Sequence, residues 1–358
     1  MHMPTHPTRR AALATGLGAF ALLVTGCGRR DAFTELPAAG AQVLSGLSMG
    51  SSYTIKLAGA RLTEAALAAV QRAIDQALGD VVGRMSHYDA ESELSRFNRQ
   101  PLGQAFTLSA PTLSVFQAAQ AVHAASGGAF DVAVGRAVDA WGFGPAAAAR
   151  QVVPETTLAE LRASTPPGAL QLDAAAGTLT RQHAVHANLS GIAKGYGVDQ
   201  VALALDALGQ ADYMVEVGGE IRTRGRNAQG QPWQLAIELP DAMPQRALRL
   251  VPLSGRALAT SGDYRNFFMH QGRRYSHEID PATAAPVAHA LASVSVVADD
   301  CTTADAWSTA LFVMGPQRGL EAATQLQLAA HFVVRGSDGR FVETTTPAFA
   351  ALGARAVA

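Results

Sequence analysis

Two oxygen-bearing side chains near the C-terminal end of the sequence have the spacing of a cation-binding pair. Asp305 and Thr309 are four residues apart in a segment predicted as a helix over residues 303–314, so both project from one helix face. A carboxylate beside a hydroxyl suits Mg²⁺, which prefers oxygen ligands and keeps some of its water. Ser308 could add a weaker or water-mediated contact. The alternative is an ordinary helix in which Asp305 interacts only with the helix dipole.

A second predicted helix, residues 191–208, begins with a polar segment. Either Asn188 or Ser190 is expected to be its N-cap. Gly191 would let a backbone carbonyl approach a ligand or an ion without a side chain in the way. Lys194 falls in the first turn, where a cation opposes the helix dipole unless it has an anionic partner. A solvated lysine is the alternative.

Three shorter motifs also carry groups that could do chemistry. His277 is followed closely by Asp280 in a turn rigidified by proline, an arrangement suited to a general base or a phosphate contact. Gly218 and Gly219 follow an apolar strand and could form an anion-binding turn. Ser261 belongs to a similar Ser-Gly-Asp segment. A tight turn without a ligand is the alternative for both glycine-containing motifs.

The composition restricts the class of protein. The chain has 358 residues, 48% of them apolar and 16% charged, which suits a globular protein with a sizeable core in one or two domains. Its net charge of −1 gives no basic face for nucleic acid, so no nucleic-acid partner is expected. The sequence contains no CxxC, HExxH, GxSxG or Walker A motif. Cys301 is either a reactive thiol or, as we favour, a small buried apolar residue.

The first residues resemble an export signal of the lipoprotein type. Arg9 and Arg10 form a positive region, residues 11–24 are apolar, and small residues precede Cys27. We expect residues 1–26 to be a signal peptide, Cys27 to carry lipid, and residues 27–42 to include a flexible tether. The protein would then be exported, anchored by lipid to a bacterial membrane and facing the periplasm. An ordinary cleaved signal peptide is the alternative, and twin-arginine export stays open.

Hydrophobic periodicity predicts helices and strands that interleave without regular βαβ spacing, which favours an α+β fold with mixed, largely antiparallel sheets flanked by helices. We expect residues 43–350 to form one domain and residues 351–358 a C-terminal tail. The predicted helices are 63–85, 112–125, 134–141, 191–208 and 303–314; the predicted strands are 43–57, 213–217, 233–239, 257–260 and 293–298, with a hairpin in 171–186 and a surface excursion at 145–167.

The order of the polar motifs resembles the ApbE family, the FAD:protein FMN transferases. The blocks are SELSRFN, GGAFDVAVG, GIAKGYGVD, VGGEIR, TSGDY, HEIDP and ADAWSTALFVMG, in that order. The resemblance implies a single catalytic domain that binds FAD and Mg²⁺ on an exported protein, often a lipoprotein. It implies transfer of FMN from FAD to a Ser or Thr hydroxyl of an acceptor flavoprotein, with formation of a phosphoester and release of AMP.

Family roles can be carried over to matching positions. FAD contacts would be Met49, Tyr88, Ala129, Phe130, Asp131, Asn188, Lys194 and Ile279, with Gly218, Gly219 and Ser261 as further candidates. Metal contacts would be the Gly191 carbonyl, Asp305 and Thr309, with Ser308 nearby. For the implied reaction, our candidate to accept the hydroxyl proton or to contact the phosphate is His277. Asp280 is the alternative base, and Lys194 could pair with the diphosphate or with a carboxylate in the site.

The sequence departs from the family pattern at one of these positions and at two others in the block after His277. Asn188 stands where the family usually has Asp, and it lacks the charge. Ala282 and Ala284 replace the Arg and Gly of the usual Asp-Pro-Arg-Thr-Gly block, so this loop is expected to differ in conformation or in its phosphate contacts.

Other functions remain open at the level of the sequence. An FAD pyrophosphatase would use water as the nucleophile and give FMN and AMP. A non-catalytic lipoprotein would store or deliver FAD. A solute-binding lipoprotein with an unrelated ligand is opposed by the order of the motifs.

Overall fold

The computed structural model describes residues 40–145, 149–241 and 243–357. The predicted signal peptide, Cys27 and most of the predicted tether lie outside these residues. Within them the helices are α1 (Glu64–Met85), α2 (Glu93–Arg99), α3 (Ala110–Ala125), α4 (Gly135–Ala140), α5 (Glu155–Ser164), α6 (Ala193–Ala207), α7 (Cys301–Met314), α8 (Pro316–Gln325) and α9 (Pro347–Ala350). No helix in this part of the chain combines the length and apolar composition needed to span a bilayer.

The strands are short and numerous. They are β1 (Gln42–Ser48), β2 (Ser51–Leu57), β3 (Ala105–Thr107), β4 (Leu170–Asp173), β5 (Thr178–Arg181), β6 (Tyr213–Val217), β7 (Glu220–Arg224), β8 (Trp233–Glu238), β9 (Ala247–Leu253), β10 (Ala257–Gly262), β11 (Phe267–His270), β12 (Arg273–Ser276), β13 (Ile279–Asp280), β14 (Ala285–Pro286), β15 (Leu291–Ala298), β16 (Ala329–Arg335), β17 (Phe341–Thr345) and β18 (Arg355–Ala356).

The main sheet is antiparallel throughout, and it confirms the predicted α+β class. Its strand order is β1-β2-β6-β7-β10-β15-β16-β17, and each neighbouring pair is antiparallel. A three-stranded sheet, β18-β9-β8, contains the last strand, which lies in the segment predicted as a C-terminal tail.

The main sheet separates two apolar layers. On one face, Ala259 and Val296 pack under the helices. On the other face, Leu258 and Val297 pack with Trp233 of the three-stranded sheet. Because side chains alternate along each strand, the paired positions Leu258 and Val297 share one face and their neighbours share the other. The sheet therefore has a buried face on both sides, with α6 and α7 on one of them.

The four long predicted helices, 63–85, 112–125, 191–208 and 303–314, are confirmed as α1, α3, α6 and α7. In α1 the residues at helical spacing are buried, and Thr63 caps the helix by accepting a hydrogen bond from the Ala66 N–H at 3.3 Å. Val198, Val201 and Leu205 form the buried stripe of α6, as predicted. The prediction that Leu208 joins this stripe is wrong, because its side chain is 41% exposed just after the helix ends.

Two predicted segments differ from the structure. The single strand over 43–57 is a hairpin of β1 and β2, turned at Met49 and Gly50 with φ values of 51° and 72°. Positive φ at both central residues is a feature of the type I′ turn, one of the two-residue hairpin turns that match the twist of their strands. The surface excursion at 145–167 contains α5, whose Leu158 and Leu161 are buried.

Candidate active site

A cavity of about 900 Å³ lies where several turns meet the helices α6 and α7. Most residues predicted as functional line this cavity. They are Met49, Tyr88, Ala129, Phe130, Asp131, Asn188, Gly191, Lys194, Gly218, Gly219, Ser261, His277, Ile279, Asp305 and Thr309. Asp280 and Ser308 are the predicted site residues that are not among its lining residues. The structure thus brings together residues from nearly every motif block noted in the sequence.

The close packing of α6 against α7 places Asp305. The Gly195 N–H donates a hydrogen bond to Asp305 Oδ2 at 2.9 Å, and Asp305 is only 2% exposed. A side chain at position 195 would bring its Cβ to 2.7 Å from the Asp305 Cβ, a distance that real Cβ atoms do not show. Glycine is therefore required for this helix crossing, and the crossing holds the Asp305 carboxylate at the cavity wall.

Hydroxyl groups cluster beside this carboxylate. Ser261 Oγ lies 2.9 Å from Ser308 Oγ and 3.1 Å from Thr309 Oγ1. The Ser308 hydroxyl also donates to the Asp305 backbone carbonyl at 2.9 Å, so it is occupied within the protein. Gly191 lies next to Thr309, since a Cβ at position 191 would be 3.1 Å from Thr309 Oγ1. The set is rich in neutral oxygens and contains one carboxylate.

Lys194 has an acidic partner. Such a partner was expected because a cation in the first turn of a helix opposes the helix dipole. Its ammonium group forms an ion pair with Glu220, the residue after the Gly218-Gly219 turn. Burial disfavours the charged lysine, but the carboxylates of Glu220 and Asp305 outweigh it and raise the lysine pKa. Lys194 therefore carries a positive charge at neutral pH, and it faces more than one carboxylate.

The cavity holds more buried carboxylates than cations. Burial, with a smaller contribution from Asp305, raises the pKa of Glu220 to about 8 against the opposing effect of Lys194. Burial likewise raises the pKa of Glu278 to about 8. The pKa of Asp305 is raised by burial despite Lys194 and the Gly195 N–H. Among the described residues, no donor lies within hydrogen-bond reach of Glu220 Oε2. These groups are poised to interact with a further cation.

His277 borders the cavity in its neutral form. Its side chain is 38% exposed, and its Nε2 lies 3.7 Å from Glu278 Oε1. Burial, followed by the positive charge of Lys194, lowers the histidine pKa to about 4. The edge of the Phe143 ring packs against the imidazole with a centroid separation of 6.3 Å. A neutral imidazole at a cavity wall has a lone pair that can accept a proton.

The Asp280 carboxylate is engaged in hydrogen bonds within its own turn. Its carboxylate accepts hydrogen bonds from the Ala282 N–H at 2.9 Å and from the Thr283 hydroxyl at 3.2 Å. Ala284 adopts a φ of 56°, the left-handed conformation that a glycine would take without strain. The Trp141 indole donates to the Ala284 carbonyl at 2.9 Å and helps to hold this loop. The altered loop thus keeps a glycine-like conformation at Ala284.

Two predicted local roles are replaced by others. Asn188 and Ser190 do not cap α6; the N-cap position is Ile192 and has no side-chain cap, while Asn188 Oδ1 accepts from the Ser190 N–H at 2.8 Å. The Gly218-Gly219 turn lines the cavity, but its N–H groups already donate within the protein.

These two N–H donors are engaged by neighbouring strands. The Gly218 N–H donates to the Ser52 carbonyl at 3.0 Å, and the Gly219 N–H donates to Glu216 Oε1 at 2.8 Å. The predicted anion-binding role of this turn is therefore corrected: its geometry supports the hairpin of β6 and β7, which delivers Glu220 to the cavity.

Aromatic and acidic side chains form another part of the wall. Phe130 is buried, whereas Tyr88 is 63% exposed and donates its hydroxyl to the Phe143 carbonyl at 3.0 Å. Asp131 Oδ1 accepts from the Ala133 N–H at 2.8 Å, and burial raises the pKa of this carboxyl. This wall can pack against a planar ring while it keeps polar atoms nearby.

Several lining residues were not predicted as functional from the sequence. They are Glu220, Glu238, Tyr264, Arg265 and Glu278. Glu220, Tyr264 and Glu278 lie within the VGGEIR, TSGDY and HEIDP blocks, and that position was the available signal. Glu238 accepts a hydrogen bond from the Tyr264 hydroxyl at 3.1 Å and from Arg265 at 2.8 Å. This contact joins the end of β8 to the loop after β10, and no local pattern indicates it.

Buried Cys301 matches the favoured interpretation from the sequence. It is a free cysteine with no exposed surface, and burial raises its thiol pKa well above the usual value. A thiol in this state is a packing residue.

Comparison with solved structures defines the class of protein. The flavin transferase ApbE from Vibrio cholerae matches with a TM-score of 0.79 at 39% identity, covering 88% of this chain and 100% of that one. The apo flavinyl transferase ApbE from Pseudomonas stutzeri matches with a TM-score of 0.78 at 36% identity, covering 90% and 98%. The fold is therefore that of the flavin transferase structures.

Sequence comparison gives the family. The ApbE family model matches residues 49–332. The FAD:protein FMN transferase from Haemophilus influenzae is 40% identical over 311 residues, which cover 86% of this chain and 90% of the relative. The protein of that name from Vibrio cholerae is 40% identical over 332 residues, covering 92% and 95%. The chain belongs to the ApbE family, and the predicted enzyme class, a transferase, is confirmed.

Proposed function

We propose that this protein transfers FMN from FAD to a Ser or Thr hydroxyl of an acceptor protein in a Mg²⁺-dependent reaction that releases AMP. The observation that carries the proposal is the buried Asp305 carboxylate beside Thr309 and Gly191, on the wall of a cavity that His277 also borders. The names of the relatives, FAD:protein FMN transferase, support the same reaction.

The oxygen set beside Asp305 fits Mg²⁺. Among the described residues, no group of three or more His, Cys, Asp or Glu side chains is arranged to hold a metal. Mg²⁺ commonly takes one or two protein carboxylates and fills its remaining positions with water and phosphate oxygens, so a site with a single carboxylate is compatible with it. Asp305, the Thr309 hydroxyl and the Gly191 carbonyl would hold the ion. Burial raises the pKa values of Glu220 and Glu278 to about 8, and a cation bound beside these carboxyl groups would favour their ionised form.

When bound, Mg²⁺ would neutralise charge on the diphosphate and orient it. The acceptor hydroxyl oxygen forms a bond to the FMN-side phosphorus, and the bond from that phosphorus to the bridging oxygen breaks. AMP leaves with the electron pair of that bond. The hydroxyl proton passes to the neutral imidazole of His277, which is available because its pKa is lowered. Asp280 is the alternative base, although its carboxylate is occupied in the turn.

The other lining residues would bind and orient the substrate. Lys194 keeps its charge through Glu220 and can attract the diphosphate. Tyr88 and Phe130 offer ring faces for a flavin or adenine. The cavity of about 900 Å³ is near the upper end of the usual range for ligand pockets, as a dinucleotide requires.

Export and anchoring complete the proposal. Cys27, after an apolar stretch that follows Arg9 and Arg10, would carry the lipid and hold the enzyme at the periplasmic face of a bacterial membrane. The partners would then be FAD, the lipid surface and an exported flavoprotein acceptor. No nucleic acid is involved.

One experiment separates this function from its alternatives. The full-length chain in detergent is incubated with FAD, Mg²⁺ and a candidate flavin-accepting domain, and acceptor mass and free AMP are followed. Transfer gives an FMN mass increment on the acceptor and an equal amount of AMP, and chelation of Mg²⁺ removes both. AMP formed equally well without acceptor indicates a pyrophosphatase. FAD binding with neither product indicates a storage protein, and either result contradicts transfer.

A further inference from the structure

We propose that Asp199 is a positioning residue that sets the register of α7 against α6 and so assembles the candidate cation site. The site is divided between these helices, because Asp305 and Thr309 belong to α7 whereas Gly191 directly precedes α6. Asp199 does not line the cavity. The inference rests on the proposed function, since the consequence of a wrong register is weaker binding of the cation.

The two helices meet at levels one helical turn apart. At the level nearest the start of α6, Gly191 adjoins Thr309, and a Cβ there would be 3.1 Å from Thr309 Oγ1. One turn along, the Gly195 N–H donates to Asp305 Oδ2 at 2.9 Å. From the first level to the second, the residue number rises by four along the α6 segment and falls by four along α7. The two helices therefore run antiparallel where they pack. Both contacts depend on the same rotational setting of α7.

Asp199 forms the third level of this series. Its carboxylate accepts hydrogen bonds from the Cys301 N–H and the Thr302 N–H, both at 2.9 Å, and from the Thr302 hydroxyl at 2.6 Å. Arg222 on β7 donates to it at 2.5 Å. The side chain is 9% exposed. Asp199 thus binds the free N–H groups that begin α7, and it does so from the neighbouring helix.

The contact of Asp199 differs in kind from the ordinary cap of the same helix. Asp300 is the N-cap of α7, and it accepts from the Thr303 N–H at 2.7 Å and the Thr303 hydroxyl at 3.0 Å. Those bonds lie within one segment of chain and are preserved if α7 moves as a whole. The bonds of Asp199 are broken if α7 rotates or slides, so they help to fix its position against α6, together with the hydrogen bond from Gly195 to Asp305.

A small error in register would separate the oxygen ligands. One residue of an α-helix corresponds to a rotation of roughly 100° and a rise of about 1.5 Å. Even a fraction of that rotation would turn Asp305 and Thr309 away from Gly191. Metal sites are sensitive to such shifts, and loss of a group that orients the ligands typically weakens metal binding by about 10- to 100-fold.

The test compares Asp199→Asn with Asp300→Asn in the full-length chain. An asparagine at position 199 has one acceptor oxygen for two N–H groups, and its amide presents donors to Arg222. The probe is Mn²⁺, a stand-in with similar oxygen preference, whose free concentration is read by its EPR signal with and without FAD. We expect Asp199→Asn to raise the Mn²⁺ dissociation constant by about tenfold or more. Asp300→Asn keeps an acceptor for the Thr303 N–H and should leave Mn²⁺ affinity within about twofold.

Activity supplies a second measurement. The Mg²⁺ concentration for half-maximal transfer should rise in Asp199→Asn, and excess Mg²⁺ should restore most of the rate. Unchanged Mn²⁺ affinity in folded Asp199→Asn, or an equal loss in both variants, would overturn the positioning role. A wild-type protein that binds no Mn²⁺ would instead contradict the metal assignment of the proposed function.

Discussion

Two clusters of charged side chains use their charges in opposite ways. The site cluster consists of Lys194, Glu220, Glu278 and Asp305, and it faces the cavity. The loop cluster consists of Asp241, Asp263, Arg274 and Arg335, and it ties the loop after β8 to β12 and β16. In the loop cluster two arginines meet two aspartates, whereas in the site cluster three carboxylates share one lysine.

The loop cluster is satisfied by its own members. Arg335 binds Asp263 through two hydrogen bonds of 2.6 and 2.7 Å and binds Asp241 at 2.8 Å, and Arg274 binds Asp241 at 2.8 Å. Burial would raise the pKa of Asp241, but hydrogen bonds from Arg335 and Arg274 outweigh it and the pKa is lowered. Charge here contributes to stability.

The site cluster has more carboxyl groups than cations to pair with them. The pKa values of its three carboxyl groups are raised, with burial as the largest cause in each. Groups held in an unfavourable protonation equilibrium are typical of functional sites, where a ligand supplies the missing interaction. The comparison shows that burial of charged groups alone does not identify a functional site. The informative feature is an unequal number of carboxyl groups and basic side chains.

The largest expected effect follows from removing one charge of the site cluster. Asp305→Asn should reduce transfer by at least about 10³-fold, because the one carboxylate expected to hold Mg²⁺ is lost. The melting temperature should stay level or rise, since the amide oxygen can still accept from Gly195 and the repulsion between carboxylates falls. AMP release and scanning fluorimetry measure the two quantities.

The matched control is Asp241→Asn in the loop cluster, which should show the reverse pattern. Loss of partly exposed ion pairs to Arg335 and Arg274 should cost about 1 kcal/mol and lower the melting temperature by about 2 °C. Transfer should stay within about twofold of wild type. Wild-type transfer by Asp305→Asn would refute the metal assignment, and a large rate loss in Asp241→Asn would erase the distinction between the clusters.

A smaller effect is expected at the neutral histidine beside the site cluster. His277→Ala should slow transfer by about 10²-fold, the usual contribution of a general base, with FAD affinity changed much less. Single-turnover rates at saturating FAD, with FAD affinity from flavin fluorescence, separate the two effects. Asp280→Asn is the counterpart. If it, rather than His277→Ala, loses the rate, the base is Asp280 and its turn must open in the complex.

The sequence predicted the groups of the site better than their neighbours. Asp305, Thr309, Lys194 and His277 belong to motifs whose residue types carry the signal, and the helix stripes placed the first three correctly on helices. Glu220, the partner of Lys194, is 26 residues away and reaches it through the hairpin of β6 and β7. Such a pairing is a tertiary contact, and local periodicity contains no information about it.

Local conformation limited the prediction of the fold in a similar way. The turn at Met49 was missed because methionine seldom adopts a positive φ, so no turn residue precedes Gly50 in the pattern. Helix α5 was missed because only Leu158 and Leu161 mark its buried face within an Ala- and Pro-rich segment. The closure of β1 onto β2 and the burial of α5 are decided by packing with the rest of the domain.

The smallest expected effect concerns a third group of buried polar side chains, remote from the cavity. His331 is fully buried against Phe349, and its Nε2 lies 2.7 Å from Glu343 Oε2, which Arg249 also binds at 2.5 Å. Burial is the largest cause acting on this histidine, and it lowers the pKa although Glu343 opposes the shift. The folded protein therefore keeps His331 neutral where an unfolded chain would begin to protonate it.

This shift predicts a loss of stability in mild acid. Below about pH 6.5 the unfolded state binds a proton that folded His331 resists, so the free energy of unfolding falls as pH decreases. The pKa of Glu343 is lowered by its hydrogen bonds from Arg249 and His331, which outweigh burial, so its contribution is lost only at more acidic pH. His331→Gln keeps a donor for Glu343 and removes the titration. Between pH 7.5 and 5.5, urea unfolding should show wild type losing on the order of 1 kcal/mol more than this variant. Equal losses would show that His331 titrates alike in both states, and its burial would then carry no energetic cost.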